Sequence, residues 1–421
     1  MTSTDARRRI ETVWRMESAR LIAGLVRMVR DVDLAEDLAQ DALVAALAQW
    51  PEAGVPKNPG AWLMAIAKRR AIDHFRRAGR LERKQAELAR TLEQEQPRPG
   101  DEADGVPGDD IGDDMLRLMF VCCHPVLSTE ARVSLTLRLL GGLTTREIAR
   151  SFLTSEATVA QRISRAKRVL SQARVPFETP SGPERAERLS SVQDVLYLIF
   201  NEGYSATAGE EWLRPALCEE ALRLGRVLAG LVPAEPEVHG LIALMEIQAS
   251  RMRARTGPAG EPVLLADQDR GRWDQLLIRR GLAALERAGQ LGGEPGPYAL
   301  QAAIAACHAR ARTAGETDWE RIASLYDALS ARARSPVVEL NRAVALAMAY
   351  GPAAGLALVD QLTEVPALQH YHLLPSVRGD LLAKLGRAQE ARREFERAAA
   401  LTRNERERGL LLRRAAACAE S

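Results

Sequence analysis

The chain has 421 residues, which is enough for roughly two to four domains of ordinary size. Hydrophobic residues make up 46% and charged residues 27%, as in proteins with buried cores and polar surfaces. The net charge is only +2, and five scattered cysteines exclude a disulfide framework and favour the cytoplasm. No N-terminal signal segment is present and no apolar run reaches the about 18 residues that span a bilayer, so we expect no membrane association.

The first 90 residues are predicted to be helical. Apolar residues recur at helical spacing in "DLAEDLAQDALVAALAQW" and again in "AWLMAIAKRRAIDHFRR", and the second stretch is strongly basic. Between them, "PEAGVPKNPG" contains too many prolines and glycines to continue a helix. The pattern therefore predicts a helical module over residues 1–90.

The composition changes abruptly over residues 91–113. Acidic residues dominate this stretch, Arg98 is its only base, and hydrophobic residues are few. Such a segment buries too little apolar surface to offset the entropy of ordering the chain. We therefore predict a flexible acidic linker over 91–113, which joins the first module to a second basic helical module over 114–174.

The second module contains "TTREIARSFLTSEATVAQRISRAKRVL", a pattern typical of a helix-turn-helix. Thr144 and Glu147 have the spacing of a capping box, and Ser155 is placed to cap a second helix. Leu153 occupies the turn position that glycine usually takes, so a positive φ there would be strained. The buried face of the second helix is predicted to be a stripe at helical spacing: Val159, Ile163, Ala166 and Leu170.

The polar face of the second helix has the residue types that contact DNA. Its N-terminal half is the part of a recognition helix that meets base edges, and arginine and glutamine are good bidentate donors to bases. Lysine and arginine further along suit phosphates. The predicted duplex-binding residues are Ser155, Thr158, Gln161, Arg162, Arg165, Lys167 and Arg168. The alternative is an ordinary helical hairpin with a solvated basic face.

Residues 1–174 as a whole resemble bacterial sigma factors of the extracytoplasmic-function class. "AEDLAQDAL…WPEAGVPKNPGAWLMAIAKRRAIDHFRR" is similar to sigma region two, and "GLTTREIARSFLTSEATVAQRISRAKRVL" is similar to region four. The resemblance implies a transcription initiation factor that binds core RNA polymerase, at the beta-prime clamp helices and the beta flap, and promoter DNA. The residues that would dock on the clamp helices are Asp37, Gln40 and Asp41.

The resemblance also assigns promoter contacts. Region four would bind the minus-thirty-five element, and the loop and helix around 58–77 would bind the opened minus-ten element. A splayed base needs a stacking surface and cationic walls. Trp62 could supply that surface or belong to the core. The candidate minus-ten residues are Asn58, Trp62, Lys68, Arg69, His74, Arg76 and Arg77.

Residues 185–421 are predicted to form a helical array with short Gly/Pro interruptions. The segment 378–401 places Gly379, Gly386, Ala391, Phe395 and Ala398 as a tetratricopeptide repeat does, with Arg403 near the position of its proline. This half resembles the tetratricopeptide-like C-terminal extension of a sigma-factor subgroup. The resemblance implies regulation in cis or through a protein or peptide partner bound by this array.

Three polar clusters invite other interpretations. Asp267, Asp269, Arg270 and Arg272 could form a catalytic cluster, His370, Tyr371 and His372 a metal site, and Cys122 and Cys123 a zinc or redox site. Buried ion pairs, aromatic–histidine packing and buried thiols are the simpler explanations, because no nucleophile–base pair or second Cys/His pair accompanies them. We expect no enzyme activity, no cofactor and no metal.

The sequence thus predicts an all-α sigma factor with a helical regulatory domain. Two alternatives stay open. A conventional regulator would use the helix-turn-helix alone and bind closed duplex without polymerase. An interaction scaffold built on the helical array would show no salt-dependent affinity for DNA.

Overall fold

The computed structural model describes residues 3–77, 108–206, 213–258 and 260–419. All secondary-structure elements in these ranges are helices, apart from one isolated bridge between Thr256 and Pro262. The predicted all-α class is confirmed. The chain divides into two compact units, Met1–Leu196 and Tyr197–Ser421. None of the helices in the described ranges combines the length and apolarity needed to cross a bilayer.

Three helices open the first unit: α1 (Ser3–Val29), α2 (Val32–Ala53) and α3 (Pro59–Arg77). Asp31 caps α2, where its Oδ1 accepts a hydrogen bond of 2.9 Å from Leu34 N. Trp50 and Leu63, both almost fully buried, lie in the core that the three helices share. The loop that separates α2 from α3 is the predicted Pro/Gly break.

Four further helices follow in the first unit: α4 (Gly108–Cys122), α5 (Thr129–Leu139), α6 (Thr145–Ser151) and α7 (Glu156–Gln172). Residues 91–107 of the predicted linker lie outside the described part of the chain. Residues 108–113 form the N-terminal part of α4. Acidic residues lower apolar content, but they are also favourable in the first turn of a helix, where they interact with its dipole.

Helix α8 (Gly182–Tyr204) extends the first unit beyond residue 174. Arg188 Nη2 donates to Phe120 O at 2.9 Å, and Ser191 Oγ donates to Cys123 O at 2.6 Å. These two side chains satisfy carbonyl groups near the C-terminal end of α4, which have no partner within the helix itself. The first half of α8 therefore completes the packing of α4.

The second unit is an array of helices in which each helix packs against its neighbours in the sequence. Its hydrophobic core runs through the array as consecutive clusters of buried Leu, Ala and Ile side chains. This is the organisation expected of a helical solenoid. The helices are α9 (Pro215–Leu231), α10 (Pro236–Ala249), α11 (Gln275–Gln290), α12 (Pro297–Arg310), α13 (Trp319–Arg332), α14 (Pro336–Tyr350), α15 (Pro352–Leu362), α16 (Leu373–Lys384), α17 (Ala388–Leu401) and α18 (Glu405–Ala417).

The predicted tetratricopeptide-like hairpin is formed by α16 and α17. A Cβ atom at Gly379 would lie 3.0 Å from the ring of Phe395, so the close approach of the two helices requires a small residue there. Ala391 and Ala398 are fully buried in the same core. Thr402, Arg403 and Asn404 separate α17 from α18, and Asn404 Oδ1 caps α18 by accepting from Arg406 N.

Candidate nucleic-acid interface

The first helix of the predicted helix-turn-helix, α6, begins with the predicted capping box. Glu147 N donates to Thr144 Oγ1 at 3.2 Å, and Thr144 N donates to Glu147 Oε2 at 2.8 Å. Burial by itself raises the pKa of Glu147, but hydrogen bonds from Thr144 and the charge of Arg15 outweigh it and lower that pKa. The carboxylate that caps α6 is thereby kept ionised.

The turn between α6 and α7 has the strained residue that the sequence indicated. Leu153 adopts a φ of +48°, and 56% of its surface is exposed. Thr154 N donates to Ala149 O at 3.0 Å, which closes the turn. Leu153 therefore has an unfavourable left-handed conformation with little burial to offset it.

Helix α7 has the capping and the buried stripe that the sequence predicts. Ser155 Oγ accepts from Thr158 N at 3.0 Å, and the stripe at positions 159, 163, 166 and 170 is buried. The other predicted duplex-binding residues divide by exposure. Ser155, Gln161, Arg165 and Arg168 are exposed, and Thr158 and Arg162 are half-buried. The N-terminal half of α7 thus has polar and cationic groups open to solvent.

Lys167 is turned away from this open face. Its Nζ lies 2.6 Å from Asp33 Oδ1 and 2.6 Å from Glu36 Oε2, both on α2, and its side chain is only 11% exposed. Burial lowers the pKa of Lys167, but Glu36 and Asp33 outweigh that effect and raise it. The lysine is therefore held as a cation between the two modules.

Glu36 is the centre of this contact, and sequence reasoning did not identify it. Its Oε1 accepts from Arg138 Nε of α5 at 2.6 Å and from Gln40 Nε2 at 2.8 Å. Burial raises its pKa, but Arg138 and Lys167 outweigh burial and lower it. Its two cationic partners, Arg138 and Lys167, are more than 100 positions away along the chain, so no local pattern marks the ion pairs.

Two further ion pairs join the same modules. Arg15 Nη2 of α1 lies 2.8 Å from Glu147 Oε1, the oxygen of the capping carboxylate that faces away from Thr144. Arg27 Nε of α1 lies 3.2 Å from Asp114 Oδ2 of α4, and Asp114 is almost fully buried. In this structure the helices α1–α3 and α4–α7 are therefore in direct contact, and several ion pairs join them.

The exposed face of α2 includes the predicted polymerase-docking residues. Asp37 and Asp41 are exposed, and Gln40 is half-buried because its amide contacts Glu36. Burial and the neighbouring Asp33 raise the pKa of Asp37. Gln40 also borders a groove of about 610 Å³ that is lined by α1, α2 and residues between Arg138 and Glu147, and Val44, in the wall of that groove, is 63% exposed. This face thus combines carboxylates with apolar surface.

Helix α3 holds the candidate minus-ten residues. Asn58 is exposed, and its Oδ1 accepts from Ala61 N at 3.1 Å, so it acts as a local cap. Trp62 is half-buried and lies edge-on to Trp50, with ring centroids 5.2 Å apart, so part of its ring packs in the core. The remaining candidates are spread along α3: Lys68 is half-buried, Arg69, His74 and Arg76 are exposed, and the side chain of Arg77 lies outside the described part.

The other polar clusters have structural partners. Burial raises the pKa of the Cys123 thiol to about 11, and Cys122 beside it is fully buried. His372 Nε2 contacts Glu407 Oε1 at 3.0 Å, and Arg270 donates to Ala311 O at 2.9 Å. Arg270 thus bonds to backbone carbonyls and to the hydroxyl of Thr317. In the described ranges, no group of three or more His, Cys, Asp or Glu side chains is arranged to hold a metal ion.

Comparison with known protein families gives three matches. Residues 14–81 match sigma-70 region 2, residues 117–170 match sigma-70 region 4, and residues 188–289 match a family of unknown function, DUF6596. The two sigma matches contain α3 and the helix-turn-helix respectively. The third match begins in α8 and ends in α11.

Similar proteins extend the comparison to most of the chain. An uncharacterized protein of Rhizobium meliloti, R00370, is 47% identical over 91% of this chain and 89% of its own length. A probable ECF RNA polymerase sigma factor, SigI of Mycobacterium tuberculosis, is 29% identical over 39% of this chain and 56% of its own length. The chain belongs to the sigma-70 family as a sigma factor of the extracytoplasmic-function class, with a helical C-terminal extension.

Proposed function

We propose that this sigma factor docks on the beta-prime clamp helices of core RNA polymerase through Asp37, Gln40 and Asp41. The two carboxylates are exposed on one face of α2, next to apolar surface at Val44. A protein interface of this kind combines a desolvated apolar centre with charged groups at its edge. The beta flap would contact the second module.

Promoter DNA would then be bound by two helices. Helix α7 would enter the major groove of the minus-thirty-five element, with Gln161, Arg162 and Arg165 toward the bases. Helix α3 would follow the opened minus-ten strand with Arg69, His74 and Arg76, while the half-buried Trp62 offers the rest of its ring for stacking. Ser155 and Thr158 would hold the N-terminal turn of α7, and Arg168 would meet a phosphate.

The observation that carries this proposal is the construction of α7. Its N-terminal end is capped by Ser155, its apolar stripe is buried, and Gln161 and Arg165 are left exposed. A helix built for packing alone would not leave bidentate donors on the half that a recognition helix inserts into the groove.

Promoter binding would require the two modules to separate. Elements named for positions ten and thirty-five are about 25 base pairs apart, and at about 3.4 Å per base pair this is about 85 Å. A compact unit of this length has a radius of gyration of only about 16 Å. The contact of Lys167 with Glu36 therefore belongs to a closed form, and Lys167 would become available to phosphates once it opens.

The C-terminal array would control this opening. Helix α8 is continuous from Gly182 to Tyr204, and its first half bonds to α4 through Arg188 and Ser191. A change in the array that shifts or bends α8 would therefore act on the module that contains the helix-turn-helix. Control could be exerted by the array itself or by a protein partner bound to it.

The experiment that tests the proposal is capture of purified core RNA polymerase by the full-length chain. We expect the wild type to capture polymerase and the triple variant Asp37→Ala, Gln40→Ala, Asp41→Ala to lose capture. Glu52→Ala removes another exposed acid from α2 and is the matched control, which should bind as the wild type does. Capture by neither wild type nor control, together with tight binding of closed duplex, would instead identify a conventional regulator.

A further inference from the structure

A stack of cationic and aromatic side chains lies within the second unit. The guanidinium of Arg255 is 3.6 Å from the centre of the Tyr204 ring, and that of Arg251 is 5.9 Å from the same ring. Arg251 is also 5.8 Å from the centre of Trp273, whose ring lies 4.8 Å from Arg270. We call these five residues the cationic stack: Arg255, Tyr204, Arg251, Trp273 and Arg270.

The stack is well ordered by its surroundings. Trp273 is 4% exposed and Arg255 is 9% exposed, while Arg251 and Arg270 are half-buried. Arg270 is held by Ala311 O, by His308 O and by Thr317 Oγ1. Three cations are therefore fixed in a region from which most water has been removed.

The described residues provide no carboxylate within 4 Å of Arg251 or Arg270 to balance this charge. The mutual repulsion has visible consequences. Burial, followed by the charge of Arg251, lowers the pKa of Arg270 more than the carboxylate of Glu316 raises it. Burial with Arg251 and Arg270 lowers the pKa of His308 to about 4. A partly buried cation without a counter-ion is unfavourable, so a protein retains such a group where something else supplies the negative charge.

Unused hydrogen-bond donors are found at the same place. Arg251 Nε and Trp273 Nε1 are buried and have no hydrogen-bond partner among the described residues. Buried polar atoms are nearly always paired in native structures, so donors that have no protein partner are available to the acceptor atoms of a ligand. These donors suit a ligand that has several acceptor oxygens.

We infer that the cationic stack binds a small organic anion through its carboxylate or phosphate oxygens. Arg251 would be the principal contact, because it lies between Tyr204 and Trp273 and has an unpaired Nε. The guanidinium fork suits carboxylate and phosphate equally, and the aromatic rings suit the body of the molecule. The deep burial of Trp273 and Arg255 favours a compact ligand over a protein surface.

One helix, α8, connects the cationic stack with the first unit. Tyr204 is the last residue of α8, and Ser191 and Arg188, which bond to α4, belong to the same helix. Anion binding at the stack would therefore change the C-terminal end of the helix that completes the packing of the helix-turn-helix module. The site itself does not depend on the proposed promoter function.

The test is hydrogen–deuterium exchange of the full-length chain, read by mass spectrometry, with sodium phosphate or sodium citrate at constant ionic strength. We expect slower exchange in peptides covering 251–273 with at least one of the two anions. Protection by phosphate alone would identify phosphate esters as the ligand class, and protection by citrate alone would identify carboxylates. Protection by both anions would show that the site recognises the oxygens that the two share. Arg251→Gln should lose the protection, while Arg253→Gln, an exposed neighbour, should retain it.

Three results would overturn the inference. The first is no protection of 251–273 by either anion, and the second is equal protection in Arg251→Gln. The third is protection confined to residues 145–172, which would mean that the anions bind only to the proposed DNA-binding surface. Thermal melting without anion is the second measurement. Because Arg251→Gln removes an uncompensated cation, its melting temperature should not be lower than that of Arg253→Gln. If the stack were purely structural, Arg251→Gln would melt at a lower temperature.

Discussion

Lys167 Nζ of the recognition helix lies 2.6 Å from Glu36 Oε2 of the helix that presents the proposed polymerase-docking face. The pair is almost excluded from solvent, with side-chain exposures of 11% and 6%. Arg138 makes the second contact to the same carboxylate. One carboxylate thus holds two cations from the helix-turn-helix module.

Replacing this carboxylate should open the closed form. In Glu36→Gln, Arg138 loses its counter-charge and Lys167 keeps only the exposed Asp33. Breaking a buried pair from one side typically costs about 3 kcal/mol or more. We expect the modules to separate and polymerase-free affinity for duplex DNA to rise. Energy transfer between dyes placed at the exposed Gln49 and Ala160 measures the separation, and fluorescence anisotropy measures the affinity.

Glu52→Gln is the control for this change, because it removes the same charge from an exposed position of the same helix. It should leave both the energy transfer and the DNA affinity at wild-type values. Unchanged energy transfer in Glu36→Gln would show that other contacts hold the modules together.

The closed form should depend on pH through Glu36. Its pKa lies below the ordinary value of 4.5, since Arg138 and Lys167 outweigh burial. A lowered pKa in the folded state means that the stabilisation is complete above about pH 4.5 and is lost as pH falls through the lower value. We expect the energy transfer of wild type to stay constant above that pH and fall below it. In Glu36→Gln this step should be absent.

Leu153→Gly should stabilise the helix-turn-helix. The left-handed conformation costs a residue with a Cβ roughly 1 kcal/mol, and the exposed Leu153 side chain recovers little of this by burial. We expect the unfolding midpoint of the first unit in urea to rise and duplex binding to be retained. Leu153→Ala keeps the Cβ and should give no gain. If Leu153→Ala and Leu153→Gly raised the unfolding midpoint equally, loss of the leucine side chain and not relief of backbone strain would be the cause.

Two arginines of α7 should have different effects on DNA binding. Arg165→Gln removes a base-facing donor and should reduce discrimination between selected and scrambled duplexes by about 1–3 kcal/mol. Arg168→Gln should weaken binding to all duplex sequences alike and reduce the slope of log K against the logarithm of the salt concentration by about 0.9. Anisotropy at several salt concentrations measures both. Arg334→Gln, exposed in the second unit, serves as the control, and identical behaviour of all three variants would contradict the assignment.

The cysteines should differ in reactivity. Burial raises the pKa of Cys123 to about 11 and of Cys218 to about 12, so both are protonated thiols near neutral pH. Because the thiolate is the nucleophile, we expect slow alkylation of these two and of the buried Cys122. Cys418 is only partly buried and should be alkylated first by iodoacetamide, as read by mass spectrometry. Rapid modification of Cys122 or Cys123 in the native chain would favour redox sensing.

Much of the site could be predicted from the sequence because its features are local. The Thr144–Glu147 capping box, the Ser155 cap and the buried stripe of α7 join residues three or four positions apart, and helix geometry alone brings such residues together. The strained Leu153 follows from the same register. The all-α class and the hairpin of α16 and α17 follow from the periodicity of apolar residues.

The tertiary structure decided which cations face solvent. Lys167 and Arg168 are neighbours with the same charge, yet Arg168 is exposed and Lys167 is 134 positions from its Asp33 partner. Arg138 is 102 positions from Glu36, and Arg251 and Arg270 meet at Trp273 from separate segments. The sequence determined where helices begin, end and bury a face, since those energies arise between near neighbours. Charge pairing and burial arise between distant segments, so only the packed chain sets them.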